Sequence, residues 1–115
     1  MGLGTDIVEI ERIRHNMNEK FLFRIFTAEE RKRIAGKSYR AAGIFAAKEA
    51  ASKALGTGIK GFGWHDIEIL KEESGKPYVR LHGKAETLAK EQGIEEMEIS
   101  ISHCRHYATA VASFR

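Results

Sequence analysis

The stretch Phe45-Ala-Ala-Lys-Glu-Ala-Ala-Ser-Lys-Ala-Leu-Gly-Thr-Gly58 places two ammonium groups and one carboxylate among alanines. Because alanine is the strongest helix former, the sequence predicts a helix over residues 40–55 that stops at Gly56, where positive φ is tolerated. Neighbouring residues of a helix are turned by about 100°, so Glu49 and Lys53 share one side and Lys48 lies at its margin.

The alanines around this charged side would let neighbouring backbone approach the helix closely. The charged residues would then lie in a cleft, and a carboxylate beside amines in a cleft suits a metal ion and phosphates. The alternative is an exposed Glu49–Lys53 pair at i,i+4, which stabilises a helix by only ~0.2–0.5 kcal/mol. This segment alone leaves both interpretations open.

Length and composition narrow the class of protein. The 115 residues predict a single domain, 1–115, which can bury roughly two thirds of its unfolded surface without crosslinks. The one cysteine, Cys104, excludes an internal disulfide, and the first residues lack the basic and apolar parts of an export signal. No run approaches the ~20 apolar residues of a membrane span. We therefore expect a cytoplasmic protein that does not enter the membrane.

The net charge of +3 is unevenly distributed along the chain. Residues 1–11 carry −3, residues 12–40 carry +6, and residues 41–115 are neutral overall. The basic segment predicts an anionic partner, and its potential fits nucleic acid or an acidic protein equally well. The alternative is a solvated helix face with its aromatic residues turned inward. The basic residues are Arg12, Arg14, Lys20, Arg24, Arg31, Lys32, Arg33, Lys37 and Arg40.

The first predicted strand, from Leu3 to Ile10, contains the carboxylate of Asp6. An isolated buried ion is strongly disfavoured, so Asp6 needs a charged partner or a metal if it faces the interior. It could equally lie on the polar side of the strand, in solvent.

The remaining elements follow from periodicity and from turn residues. The whole order predicts an α+β fold with a mainly antiparallel sheet and helices packed on one face. The expected elements are a helix from Glu11 to about Phe23, a capped helix from Thr27 to about Ala35, a glycine loop over 56–63, a hairpin of 66–71 with 78–81, a helix over 84–92, and strands over 98–102 and 107–114.

The turn between the last two strands contains His103 and His106. Structural zinc normally takes four ligands, and no second Cys or His cluster lies nearby in the sequence, so a zinc site is not expected. His103 is then either a hydrogen-bonded strand-end residue or, if it faces the charged helix, a contact for phosphate or a reacting hydroxyl.

Asp6 and Glu49, together with the lysines, fit phosphoryl-transfer chemistry. Mg²⁺ is typically held by one or two carboxylates, with substrate phosphates and water completing the coordination. Phosphoryl transfer requires mainly positioning and charge neutralisation. Spacing in the sequence does not by itself place Asp6 next to Glu49.

Four segments together resemble one known family, the holo-acyl-carrier-protein synthases, which are small bacterial-type 4′-phosphopantetheinyl transferases. The resemblance spans nearly the whole chain in the order and length usual for that family. The segments are Gly4-Thr-Asp-Ile-Val-Glu-Ile-Glu-Arg-Ile13, residues 45–58 quoted above, Gly75-Lys-Pro-Tyr-Val-Arg-Leu-His-Gly83 and Ser100-Ile-Ser-His103.

The resemblance implies that coenzyme A donates phosphopantetheine to a serine of apo acyl carrier protein and that 3′,5′-ADP leaves. By the same resemblance Asp6 and Glu49 would hold Mg²⁺, and Glu49 could also accept the serine proton. Among the residues expected to bind coenzyme A, Lys53 and Lys48 would balance phosphate charge, His103 would lie near the phosphates, and Gly56 and Gly58 would allow close approach of the nucleotide.

The resemblance also assigns a partner to the basic segment, since acyl carrier proteins are strongly acidic. Arg12 and Arg24 correspond to family positions that meet the carrier, and Arg14 is a looser candidate. Family members are homotrimers with the donor site between subunits. Many relatives carry arginine where this chain has Ile44, so that cationic contact is not carried over.

Two other functions were weighed against the enzyme. A small RNA-binding module would explain residues 12–40, but it leaves Asp6 and Glu49 without a role and lacks an aromatic pair on a sheet; we expect no nucleic-acid partner. A transferase fold that only binds the carrier would associate with it and form no product.

Overall fold

The computed structural model describes residues 2–56 and 63–115. These residues form five strands and five helices, with one short 3₁₀ turn at Trp64–Asp66. In chain order they are β1 Gly2–Glu9, α1 Ile10–Asn16, α2 Glu19–Ile25, α3 Ala28–Ile34, α4 Ser38–Leu55, β2 Ile67–Lys71, β3 Pro77–Leu81, α5 Gly83–Glu91, β4 Met97–His103 and β5 Tyr107–Phe114.

The strands form two antiparallel sheets. One has the order β1-β5-β4, with Asp6 opposite Ala110 and Ile101 opposite Ala110 from the other side; the second is the β2-β3 hairpin. The predicted α+β class with antiparallel strands and helices on one face is therefore confirmed. The sequence did not predict that the hairpin forms a separate sheet, since within the described residues it pairs only with itself.

Helix α4 packs on the three-stranded sheet through very small side chains. A Cβ added to Gly4 would lie 2.0 Å from the carbonyl oxygen of Ala50, so the backbones of β1 and α4 are in direct contact there. Ala46, Ala47 and Ala50 are fully buried along the helix. Because side chains alternate along a strand, Gly4 and Asp6 face the helix together.

The predicted helix from Glu11 to Phe23 is divided in two. α1 ends at Asn16, and Asn18 then begins α2 by accepting a hydrogen bond from the Phe21 N–H at 2.8 Å. Asparagine is a preferred N-cap because its short side chain bonds the free backbone N–H groups of the next turn. The apolar residues therefore keep the spacing of one helix along the sequence, although the chain forms two separate helices.

The capping box predicted at Thr27 and Glu30 is confirmed at the start of α3. This helix ends one residue earlier than expected, since Ala35 itself takes the left-handed conformation at φ 46° before Gly36. No helix within residues 2–56 and 63–115 is both long enough and apolar enough to cross a bilayer.

Candidate functional site

The structure brings three of the predicted site residues together where α4 lies against β1. The ammonium Nζ of Lys53 is 3.2 Å from Oδ1 of Asp6 and donates a hydrogen bond to the carbonyl oxygen of Thr5 at 3.0 Å. Glu49 lies one helical turn before Lys53 and is half-buried beside the same strand. The contact forms because Gly4, two residues before Asp6, admits the helix backbone.

Two carboxylates at this position repel one another. Burial raises the pKa of Glu49, the Asp6 charge raises it further, and Lys53 opposes both effects. The negative charge of Glu49 is unfavourable beside that of Asp6, and a bound cation would stabilise the two charges together. The electrostatics of the site therefore favour binding of a positive ion between the two acids.

The oxygen atoms of Asp6 and Glu49 match the ligands that Mg²⁺ prefers. In the part of the chain that the structure describes, no group of three or more His, Cys, Asp or Glu side chains could hold a metal. A protein that offers two carboxylates leaves several coordination positions for substrate phosphates and water, which is the usual arrangement for Mg²⁺. The residues present therefore fit this ion.

Lys48 does not belong to this group, and the prediction that it balances phosphate charge is corrected. Its side chain is 0 % exposed, and its ammonium lies 2.9 Å from Oε1 of Glu30. It also donates to the carbonyl oxygens of Trp64 at 2.9 Å and Ile67 at 2.5 Å. Burial lowers the pKa of Lys48, and the Glu30 charge opposes that shift. A substrate phosphate cannot reach an ammonium enclosed in this way.

The two glycines predicted to admit the nucleotide lie after α4. Gly56 ends the helix in the left-handed conformation at φ 88°. Gly58 lies outside the described residues, as does most of the predicted glycine loop. Close approach of the nucleotide to these glycines stays a prediction.

His103 ends β4 and lines a separate cleft of about 610 Å³. Its ring stacks on Tyr39 with 5.1 Å between centroids. Neither Asp6 nor Glu49 lines this cleft, so a single chain does not bring His103 to the acidic pair. The cleft carries three further cationic side chains that the sequence did not single out as ligands: Arg33, Arg40 and Lys71.

Only part of this cationic cleft could have been found from the sequence. Arg40 and Ile44 are one helical turn apart, so they share a face of α4, and both line the cleft. Lys71 belongs to the hairpin, and its approach to Arg33 depends on how the hairpin packs on the helices. No sequence pattern predicts that packing.

The first part of the basic segment lies on α1 and α2, and the rest continues through α3 to the start of α4. Arg12 and Arg24 are exposed, and within the described residues neither forms an ion pair. Arg14 donates hydrogen bonds to Glu11 through Nε and Nη2, which lowers the pKa of that carboxyl. Arg12 and Arg24 are therefore more available to an acidic partner than Arg14.

Phe23 is a further surface residue that the sequence did not single out. Its side chain is 54 % exposed, and the Arg31 guanidinium lies 3.8 Å from the ring centroid. An exposed aromatic ring under an arginine is typical of protein interaction surfaces, where such residues dominate affinity.

A small α+β fold that presents two carboxylates and a lysine for a cation and phosphates defines a class of phosphoryl-transferring protein. The family model described as the 4′-phosphopantetheinyl transferase superfamily matches residues 2–112. The chain belongs to this family.

Similar proteins agree with that assignment. The chain is 51% identical to the holo-acyl-carrier-protein synthase of Caldanaerobacter subterraneus, over 96% of this chain and 91% of that protein. Its fold is similar to that of the Helicobacter pylori enzyme in complex with coenzyme A, with a TM-score of 0.89, 36% identity, and 98% and 99% of the two chains covered. The Bacillus anthracis enzyme in complex with coenzyme A (3′,5′-ADP) gives a TM-score of 0.80 at 37% identity, with 98% and 94% covered.

Proposed function

We propose that this chain is a holo-acyl-carrier-protein synthase, which transfers 4′-phosphopantetheine from coenzyme A to a serine of apo acyl carrier protein. The observation that supports the proposal is the 3.2 Å contact of Lys53 with Asp6 between β1 and α4, with Glu49 near enough for both charges to shift its pKa. The chain spans most of the length of relatives that bear this name. In the reaction the serine oxygen bonds to the β-phosphorus, the bond from that phosphorus to the bridging oxygen breaks, and 3′,5′-ADP leaves.

Each of the three residues has a distinct role in the proposal. Asp6 and Glu49 hold Mg²⁺, which when bound neutralises charge on the diphosphate of coenzyme A. Lys53 keeps Asp6 oriented through the 3.2 Å contact and adds a positive charge beside it. Glu49 is the candidate acceptor of the serine proton, directly or through water, because its carboxylate lies beside Asp6 at the same site.

The donor site is completed by a second copy of the chain in a homotrimer. What supports this is the outer face of the three-stranded sheet, where Leu3 is 71 % exposed, Ile7 is 67 % exposed, and Tyr107 and Val111 add further apolar surface. An exposed apolar face of this kind marks an interaction site. Assembly through it would bring the His103 cleft of one copy towards the acidic pair of its neighbour.

The His103 cleft takes the nucleotide part of the donor in this arrangement. Its three cationic side chains, Arg33, Arg40 and Lys71, suit phosphates, and the stacked Tyr39 and His103 rings suit a base. Arg40 and Arg33 supply positive charge near Ile44, the position where the family's common arginine is absent.

Apo acyl carrier protein binds the surface of α1 and α2. The free guanidinium groups of Arg12 and Arg24 complement an acidic helix, and Phe23 offers apolar contact between them and Arg31. A cytoplasmic location and the absence of a nucleic-acid partner stay predictions from the sequence.

The deciding experiment mixes the full chain with coenzyme A, Mg²⁺ and apo carrier, and weighs the carrier by mass spectrometry. We expect the mass gain of one phosphopantetheine group on one serine. Asp6→Asn and Glu49→Gln, which remove one charge each at nearly constant volume, should abolish the gain while circular dichroism stays unchanged. A carrier that is bound but never gains mass would show a binding protein only, and salt-sensitive binding to RNA without affinity for coenzyme A would overturn the enzyme.

A further inference from the structure

Lys48 and Glu30 form a buried ion pair that the proposed reaction does not use. Both side chains are 0 % exposed, and 2.9 Å separates Lys48 Nζ from Glu30 Oε1. The three hydrogens of the ammonium have three acceptors, namely Glu30 and the carbonyl oxygens of Trp64 and Ile67. A satisfied pair of this kind is costly to break from one side, because the remaining charge stays buried without a partner.

Glu30 extends the same network into two other elements. Its Oε1 accepts the backbone N–H of Thr27 at 2.8 Å, which caps α3, and its Oε2 accepts the N–H of Ile69 in β2 at 2.7 Å. Lys48 therefore ties α4 to α3, to β2 and to the 3₁₀ turn from one side of the helix.

On the opposite side of α4 the polar anchor is Lys53, whose half-exposed ammonium bonds Asp6 and the carbonyl oxygen of Thr5. There the helix meets β1 through Gly4, Ala50 and Ala54, and such small groups allow close approach without interlocking side chains. Glu49 follows Lys48 by one residue, so any rotation of α4 about its axis moves the Glu49 carboxylate relative to Asp6.

We infer that Lys48 and Glu30 are a positioning pair, which sets the rotation of α4 so that Glu49 faces Asp6. The inference rests on the proposed function, because it is the metal-holding geometry of Asp6 and Glu49 that the pair positions. A pair with a purely structural role would stabilise the fold without changing how the folded protein binds a cation.

The test measures Mn²⁺ binding to the full chain with coenzyme A, by electron paramagnetic resonance, alongside thermal unfolding. Lys48→Met removes the charge and keeps a side chain of similar length. We expect folded Lys48→Met to bind Mn²⁺ at least about tenfold more weakly, with kcat reduced and the KM for carrier within about twofold of the original, since the carrier surface lies on α1 and α2. Mn²⁺ affinity equal to that of the unchanged chain would overturn the inference.

Three further variants keep the result interpretable. Leu88→Ala in α5 removes packing away from α4, and it should lower the unfolding temperature without changing Mn²⁺ affinity. If Lys48→Met does not fold, Glu30→Gln carries the test at nearly constant volume, with the same weakening expected and unchanged affinity overturning the inference. Asp6→Asn distinguishes a failure of the proposed function from a failure of the positioning role. If Asp6→Asn keeps its Mn²⁺ affinity, the proposed function fails. If Asp6→Asn loses Mn²⁺ affinity and the variants of the Lys48–Glu30 pair do not, only the positioning role fails.

Discussion

At the scale of single residues, adjacent side chains on one helix have opposite tasks. Lys48 is enclosed by Glu30 and backbone carbonyl groups, whereas Glu49 is half-buried beside Asp6. The difference arises because one residue of helix rotates a side chain by about 100°, here from the interior to the site. The two lysines of the helix therefore have different roles: Lys53 lies at the carboxylates, and Lys48 lies in the interior.

Replacing Glu49 with glutamine is expected to raise stability while abolishing transfer. The pKa of Glu49 is raised in the folded state, so the folded protein binds this proton more tightly than the unfolded chain, and stability is lost as the pH rises through the raised pKa. Glu49→Gln has no ionisable group at this position, so its stability is not lost in this way as the pH rises. Its unfolding temperature, measured without divalent metal, should exceed that of the unchanged chain at neutral pH.

The same comparison has a defined pH dependence. The difference in unfolding temperature should shrink as the pH falls below the ordinary pKa of glutamate, because Glu49 is then protonated in both states. A Glu49→Gln protein that is less stable at neutral pH would contradict the repulsion inferred between Glu49 and Asp6. A substitution that raises stability and lowers activity is common at functional sites.

Reversing one surface charge is expected to separate carrier binding from donor binding. Arg12→Glu should raise the KM for carrier about tenfold or more and leave the KM for coenzyme A nearly unchanged, because close charge pairs act on association with the partner. Steady-state kinetics with each substrate varied in turn measures both values. Equal changes in the two constants would contradict the surface assigned to the carrier. Lys90→Glu, an exposed charge reversal on α5, serves as the control.

At the scale of elements, the contact between β1 and α4 depends on the absence of a side chain at Gly4. Its two nearest neighbours across the contact, the backbone oxygen of Ala50 and the backbone nitrogen of Ala54, lie 2.0 and 2.6 Å from where a Cβ would be. Backbone atoms within a helix cannot move aside individually. The strand and helix must therefore separate if any side chain is added.

Gly4→Ala is accordingly expected to destabilise the fold by about 1–3 kcal/mol, the usual cost of overpacking, and occasionally by more. Gly63→Ala is a matched control, because no described residue lies within 4 Å of where its Cβ would be and its φ of −89° suits any residue. Chemical denaturation of both variants measures the free energies of unfolding. Equal stability of the two would show that β1 and α4 are less closely packed than described.

At the scale of the whole molecule, one sheet face is covered by α4 and the other exposes apolar side chains. Leu3, Ile7 and Val111 project from neighbouring strands on the open side. The cationic His103 cleft and the acidic pair lie apart in a single chain, so the proposed reaction requires both the open face and a second copy. Assembly and activity are thus expected to fail together.

Ile7→Lys should convert the proposed trimer to monomers and remove transfer activity, because a charge buried at an apolar contact has no partner. Sedimentation at several protein concentrations measures the assembly, and the carrier assay measures the activity. Ser74→Lys, at an exposed turn of the hairpin, is the control and should change neither. A monomeric Ile7→Lys protein with full activity would show that one chain forms the complete site.

The sequence by itself determined the α+β class, the capping box of α3 and the glycine end of α4, whereas Asp6 and Glu49 became joint candidates through the resemblance of four segments to one family. These features depend on local propensity, on hydrophobic period and on recognisable motifs, all of which act within a few residues. Only the tertiary structure decided that Lys48 is buried, that Arg33, Arg40 and Lys71 surround His103, and that the hairpin forms its own sheet. These three features depend on which elements pack against each other. That packing is determined by contacts between residues that are far apart in the sequence.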